Sequence, residues 1–370
     1  RRDIDRLSEI PFATAVFDEA QAFKNPNARR TRAARQLDAG FRLALTGTPI
    51  ENHTGELWSL FSVIAPGLLG SWEQFRTRFA NPIERGDDER RASLGPLMRP
   101  FLLRRLKSQV ASELPARTEI VLPIQLSEAE MTLYNQVRMA SLTALADPAL
   151  LSEHQRRFQV LAAITRLRQL ACNPQLYDPD SVLPSAKMTR LRTLIGGLKE
   201  EGHRTLIFSQ FTRHLQLARD TLAADGVAYC YLDGSTAPAK RQSEVERFQA
   251  GEGDVFFISL KAGGTGLNLT SATYVVHLDP WWNPSVEDQA TDRAHRIGQR
   301  QPVTVYRLVS RGTIEESILE LHAEKRQLVS SLLDGSGKAA TLTADALVNL
   351  IEESGQAFQR AAQDEDGPEE

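Results

Sequence analysis

Short apolar runs alternate along the chain with longer segments whose apolar residues recur at helical spacing. In residues 1–100, "ATAVF" predicts a short buried strand, "ARRTRAARQL" a polar helix, and "FRLALTGTP" a second strand ending in a Gly- and Pro-containing turn. "GELWSLFSVIAPGLL" carries Leu57, Leu60, Phe61 and Ile64 on one side of a helix, and "SWEQFRTRFA" continues helical. "RGDDERRA" reads as a charged surface loop. Residues 101–185 are mainly helical, with one strand at "RTEIVLPIQL". There Ser127 and Glu130 form a capping box at the start of one helix. A second long helix, "FQVLAAITRLRQLACNP", is stopped by Asn173-Pro174.

Residues 186–333 alternate helix and strand: "RTLIFSQ", "VAYCYLDG", "DVFFISL", "TYVVHLD" and "VTVYRLVS" are the strands. Near-continuous apolar strands separated by helices imply an α/β fold with a parallel sheet covered on both faces. Functional loops in such sheets lie beyond the carboxyl ends of the strands. The tail, 334–370, is rich in Gly, Ala and acids, with one more helix expected near "TADALVNLIEES" before disorder sets in. No tandem repeat is present.

Composition narrows this picture little. At 370 residues, 41% hydrophobic and 25% charged, the chain is ordinary for a soluble protein of two or three domains. No apolar run approaches the ~18 residues that span a bilayer. Two cysteines, Cys172 and Cys230, make neither a disulfide framework nor a zinc cluster; they suit packing roles in a reducing cytoplasm. The first residue is Arg, so the numbering is expected to start inside a longer chain. Positive charge is local, in "NARRTRAARQ", "LLRRLKSQ", "HQRRF" and "ITRLRQL", while the tail "DEDGPEE" is acidic. Either phosphate contacts or solvated helix faces account for these clusters.

Candidate chemistry sits after the strands. "TAVFDEAQAFKNP" delivers Asp18 and Glu19 side by side to the end of a strand, a placement that suits holding Mg²⁺ on a nucleotide phosphate and orienting a water. "KAGGTGLN" is a Gly-rich turn, readable as an anion nest or simply as a turn needing positive φ at Gly263, Gly264 or Gly266. "DQATDRAHRIGQ" spaces Gln289, Arg293 and Arg296 on one helical face, suited to phosphate contact or to solvent.

Taken in order, "FDEAQ", "LALTGTPIEN", "LIFSQF", "YLDGST", "SLKAGGTGLNLTSATYVVHLDPWWNP" and "DQATDRAHRIGQ" resemble the Swi/Snf family of double-stranded-DNA translocases, in helicase superfamily two. "LLRRLKSQVASELPARTE" and "RLRQLACNP" resemble its helical insert and linker. The resemblance covers residues 10 to 330 and implies two RecA-like lobes with ATP between them and DNA across both. By it, residues 1–100 are an incomplete first lobe, 101–185 the helical insert and linker, and 186–333 a complete second lobe. Asp18 then helps hold Mg²⁺ and Glu19 polarises the attacking water. Gln21, Thr46, Gly47, Thr48, Gly266 and Gln289 couple nucleotide state to lobe movement, and Arg293 and Arg296 are arginine fingers. Ser209, Gln210, Lys261, Gly264, Thr265 and Asn268 follow the DNA backbone. Trp281 and Trp282 support the adjacent loop, and His295 has a packing or hydrogen-bonding role.

One departure matters. The phosphate-binding loop G-x-x-x-x-G-K-[ST] is absent from these residues. "DGSGKAA" has Ala339 where Mg²⁺ coordination needs Ser or Thr, and Leu332 where the first Gly belongs. Two carboxylates alone repel a triphosphate, so this chain is expected not to hydrolyse ATP without an upstream loop. The first lobe is expected to show exposed sheet edges and to be less stable than the second. The alternative is a binding module that grips nucleic acid or a partner without catalysis. Arg outnumbers Lys, 36 to 8, which points to a GC-rich bacterial genome. The physiological target, whether nucleosomes, stalled RNA polymerase, a repair complex or foreign DNA, stays open.

Overall fold

The computed structural model describes residues 3–47, 54–105, 107–111, 113–146, 152–263, 266–322 and 347–354. It divides into two compact units, the first built on residues 1–105 and the second on 106–322 with the C-terminal helix at 347–354. Among the described residues, no helix is long and apolar enough to cross a membrane.

In the first unit, β1 (Phe12–Phe17) and β2 (Ala39–Ala44) form a two-stranded parallel sheet, joined through the helix Arg29–Gln36. The register pairs Phe12 with Ala39 and Phe17 with Ala44. The strand expected to be buried is not: no residue of β1 is buried, and Val16, Phe41 and Leu43 are exposed. With one pairing partner each, two strands cannot cover both of their faces. Beside them a helical cluster forms the unit's core, with Leu57, Phe61, Phe75, Phe79, Ile83, Leu94 and Met98 packed together. The charged segment read as a loop starts a helix instead, Asp88–Met98, because Asp87 caps it by accepting from Arg90 N at 2.9 Å.

The second unit holds a six-stranded, all-parallel sheet of order β3-β8-β7-β4-β6-β5. Its strands are β3 (Arg117–Ile124), β4 (Thr205–Ser209), β5 (Tyr229–Leu232), β6 (Val255–Ser259), β7 (Tyr274–His277) and β8 (Val303–Ser310). Every residue of β4 and β6 is buried, as their unbroken apolar runs require. β3 pairs with β8 over eight residues at one edge. The capping box of Ser127 with Glu130 is formed at the start of the helix Glu128–Leu145, and the helix Glu153–Cys172 stops at Asn173. Cys172 and Cys230 are buried free thiols.

A buried ion pair joins the helix Ala186–Glu200 to the helix at 314–322. Lys187 Nζ lies 2.6 Å from Glu315 Oε2 and also donates to Leu278 O at 3.0 Å. Burial alone would pull the Lys187 ammonium down, but the facing carboxylate outweighs it and holds Lys187 above its usual value, while burial pushes the Glu315 carboxyl up. Glu315 also accepts from Ser310 N at 2.8 Å. Removing one partner strands the other charge in the interior. Lys187→Met and Glu315→Leu are each expected to cost about 3–5 kcal/mol. The double variant should cost clearly less than their sum in urea denaturation; strict additivity would refute the coupling.

Candidate active site

In the first unit the acid pair is set by how β1 and β2 end. Leu45 N donates to Phe17 O at 2.8 Å and Ala20 N to Leu45 O at 3.0 Å, which lays the Leu45-Thr46 segment beside residues 17–20. Glu19 adopts φ 51, ψ 48, the one left-handed non-Gly residue among those described. A side chain there costs roughly 1–2 kcal/mol, strain of the kind concentrated at functional sites. The turn it makes brings two donors onto the carboxylates and a third onto Gln21. Glu19 N donates to Asp18 Oδ1 at 2.8 Å, Gln21 Nε2 donates to Glu19 Oε2, and Thr46 Oγ1 donates to Gln21 Oε1 at 2.7 Å. Asp18, Glu19, Gln21 and Thr46 are thus one hydrogen-bonded chain, with Gly47 exposed next to it. Thr48 lies outside the described residues.

Asp18 is exposed at the strand's carboxyl end and Glu19 half-buried. That donor set fits Mg²⁺, which takes one or two carboxylates and completes its shell with water and phosphate oxygens.

In the second unit the loops after β4, β6 and β7 collect at one edge of the sheet. Ser209 is fully buried, its hydroxyl donating to Asp279 Oδ1, while Gln210 N donates to Asp279 Oδ2 at 3.3 Å. Ser209 therefore holds the loop from inside and does not face solvent. Lys261 is exposed at the start of the β6 loop. Gly266 takes φ +55 with open space where a Cβ would stand, so the backbone conformation, not crowding, calls for glycine. Asn268 is exposed and its carbonyl accepts from Gln249 Nε2 at 2.7 Å. Gly264 and Thr265 lie outside the described residues.

The helix Pro284–Thr291 ends before the arginines. Gln289 is on it, but Arg293 and Arg296 follow in a chain of turns, so the three do not share one helical face. Arg293 is buried and Arg296 exposed. The helix stops because the backbone turns to bond across to the β6 loop, where Leu269 N donates to Arg293 O at 2.9 Å. Gln299, which sequence reasoning passed over, completes this junction. Its Nε2 donates to Thr270, Ala272 and Ala294 carbonyls at 3.0, 3.0 and 3.1 Å, and its Oε1 accepts from Arg300 N and Gln301 N.

The arginine turn is also clasped from the segment before β3. Lys107 Nζ pairs with Asp292 at 2.6 Å and donates to His295 O at 3.1 Å, and His295 Nε2 donates to Pro115 O at 2.9 Å. Arg117 reaches Asp288 at 2.8 Å. His295 is thus held by a hydrogen bond from its ring. Trp281 N donates to the buried Glu287 at 2.7 Å, and Glu287 pairs with Arg307 at 2.9 Å.

One set of metal-ligating side chains is gathered among the described residues: Cys172, His214 and Asp279, with ligand atoms within 4.8 Å of one another. The set does not fit a cation. Asp279 already faces Arg168 at 3.8 Å, and the thiol, pushed up by burial, lies in the field of Lys187 and Arg168.

Two family models match the chain: the SNF2-related domain over residues 1–176 and the helicase conserved C-terminal domain over residues 186–298. Among curated proteins it is 38% identical over 364 residues to the putative ATP-dependent helicase/translocase YwqA of Bacillus subtilis, covering 94% of this chain. It is 36% identical over 336 residues to the human SWI/SNF-related matrix-associated actin-dependent regulator of chromatin subfamily A member 1, covering 87% of this chain. The chain spans only 38% and 32% of the lengths of those two relatives. The solved SWI2/SNF2 ATPase core of Sulfolobus solfataricus in complex with dsDNA is 32% identical, with a TM-score of 0.52 over 96% of this chain and 74% of that one. The ATPase core domain of the same organism is 34% identical, with a TM-score of 0.55 over 94% of this chain and 72% of that one.

The helix leading to the arginine turn ends on a titratable contact, since His277 Nε2 hydrogen-bonds Thr291 Oγ1 at 3.0 Å. Burial, and then the charge of Arg307, hold the His277 imidazole down to about 3. Unfolded, it titrates near ~6.5. Between those values the unfolded chain binds the extra proton, so His277's contribution is complete above ~6.5 and is lost as pH falls toward 3. Wild-type stability should therefore fall more steeply than that of His277→Gln in acid, by up to about 1.4 kcal/mol per pH unit. Equal slopes in urea titrations from pH 7 to pH 4 would refute it.

Proposed function

The chain belongs to the SWI2/SNF2 family of ATP-dependent helicases, and from that premise we propose that it is part of an ATP-driven motor that moves along double-stranded DNA. The hydrogen-bonded chain Thr46–Gln21–Glu19–Asp18 carries the proposal, because it joins the acid pair to the segment after β2 through a strained turn. Strain of that kind is kept where a side chain has to be aimed.

In this mechanism Asp18 would hold Mg²⁺ on the nucleotide, and the ion when bound would supply positive charge to offset that developing on the phosphates. Glu19, fixed by Gln21, orients a water for in-line attack on the γ-phosphorus. Gln21 is the sensor: any shift of Glu19 with nucleotide state is passed to Thr46 along two hydrogen bonds. From the second unit Arg296, exposed, and Arg293, anchored through its backbone, supply the positive charge that transfer of the γ-phosphoryl group demands. Gln210, Lys261, Asn268 and the Gly266 turn track phosphates of the duplex, with Ser209 setting the loop from within. Binding is then mainly to backbone phosphates and little dependent on sequence.

The 370 residues hold no phosphate-binding loop, and Asp18 with Glu19 offers a triphosphate only negative charge. Hydrolysis by this chain alone is accordingly proposed to be absent, and to appear once an upstream segment supplies the loop. A comparison of ATP hydrolysis with and without duplex DNA, on this chain and on one extended upstream, checks this. Turnover is expected only in the extended, DNA-supplemented sample, with Glu19→Gln abolishing it. Turnover by the short chain that is lost with Glu19→Gln would mean another element binds the phosphates.

Two further outcomes follow. In the extended protein Arg296→Ala should lower kcat by about 10³-fold or more while leaving duplex affinity unchanged; a loss of affinity alone would move Arg296 to the DNA side. Duplex affinity of the wild type should fall steeply and log-linearly with salt, and a salt-independent affinity would exclude phosphate contacts.

A further inference from the structure

Arg168 is a cation that neither the acid pair nor the arginine turn accounts for. It projects from the helix Glu153–Cys172, is almost wholly buried, and donates to Pro280 O at 2.6 Å. Its guanidinium lies 3.8 Å from Asp279 Oδ2 and its central carbon 5.5 Å from the ring centroids of Phe211, Trp281 and Trp282 alike. Guanidinium groups are attracted to ring faces at such distances. Among the described residues its Nε finds no hydrogen-bond partner.

Among the described residues these contacts join the loops after β4 and β7. Phe211 follows Ser209 and Gln210 after β4; Asp279 to Trp282 follow β7. Asp279 ties the same two loops through Ser209 Oγ and Gln210 N. Lys187 donates to Leu278 O and Arg168 to Pro280 O, so two buried cations hold the backbone on either side of Asp279. Lys187 touches only the β7 side of this junction, whereas Arg168 meets side chains of both loops.

We propose that Arg168 is a positioning residue that holds the loop following β4 against the loop following β7, in the one arrangement that lets the Gln210 end of the β4 loop meet DNA phosphates. The inference rests on the DNA-binding reading of the Ser209-Gln210 loop given above. Lysine at this position keeps a charge but loses the planar fork, so it cannot donate to Pro280 while lying against three rings. The loops then separate, and the β4 loop loses the fixed place from which it meets the phosphates.

Duplex DNA affinity of the 370-residue chain, measured against salt concentration for wild type, Arg168→Lys and Ile195→Ala, tests this. Ile195 is a buried core residue of the helix Ala186–Glu200, so its truncation weakens the fold without touching either loop. Loss of one or two phosphate contacts should lower the slope of log affinity against log salt by about 1 to 2 for Arg168→Lys. Ile195→Ala should lower thermal stability with the slope unchanged, because a smaller folded fraction scales affinity equally at every salt. Should Arg168→Lys fail to fold, Phe211→Leu, which removes one ring from the guanidinium, is expected to lower the slope in the same direction. A wild type that binds duplex, with an unchanged slope in the loop variants, overturns this inference and leaves the DNA reading standing. A wild type that leaves the duplex free overturns both.

Discussion

A carboxylate buried at the edge of a parallel sheet must find its counter-charge inside the protein, and that requirement organises the second unit. Asp279 is nearly inaccessible. Burial pushes its carboxyl up, yet the combined pull of His214, Arg168 and Ser209 holds it below the usual carboxylate range. His214 Nδ1 stands 3.9 Å away, beyond hydrogen-bond reach, so its share is electrostatic. One ionised group thereby gathers the helix Glu153–Cys172, the loop after β4 and the loop after β7. Lys187 with Glu315 does the same for two more helices. Such charges are costly to bury and give little net stability compared with an apolar core, so their value lies in fixing one geometry.

The first unit meets a different constraint. Its two strands bury little, and the acid pair gains its order from a local turn instead of a packed sheet. Glu19 is held left-handed by Ala20 N bonding to Leu45 O and by the buried Ala20 side chain behind it. Orientation of Glu19 is thus coupled directly to β2, whose end carries Thr46. The second unit is built on a full sheet, with β4 and β6 wholly enclosed.

All eight strands were legible because each is an apolar run bounded by turn residues, and the Ser127 capping box was readable from side-chain chemistry alone. Burial of β1 was misjudged, since alternation of Ala, Thr and Val says nothing of how many strands lie alongside. The loop expected at "RGDDERRA" is a helix because Asp87 supplies a cap that outweighs the charge density around it. Spacing placed Gln289, Arg293 and Arg296 on a helix, but tertiary bonds to the β6 loop end that helix at Thr291. The roles of Arg168 and Gln299 were beyond sequence reading for a similar reason. Each acts in part through partners that lie 27 residues or more away, Thr270 and Ala272 for Gln299 and Asp279 and Pro280 for Arg168.

The central proposal is that Asp18, Glu19, Arg293 and Arg296 all take part in hydrolysis of ATP. A structure of the protein with its phosphate-binding loop, determined with duplex DNA, Mg²⁺, ADP and beryllium fluoride, tests it most directly. The account predicts Asp18 at the metal, Glu19 beside the water in line with the fluoride group, and Arg293 and Arg296 on that group. A closed complex in which either arginine lies away from the phosphates, or Asp18 away from the metal, would contradict it.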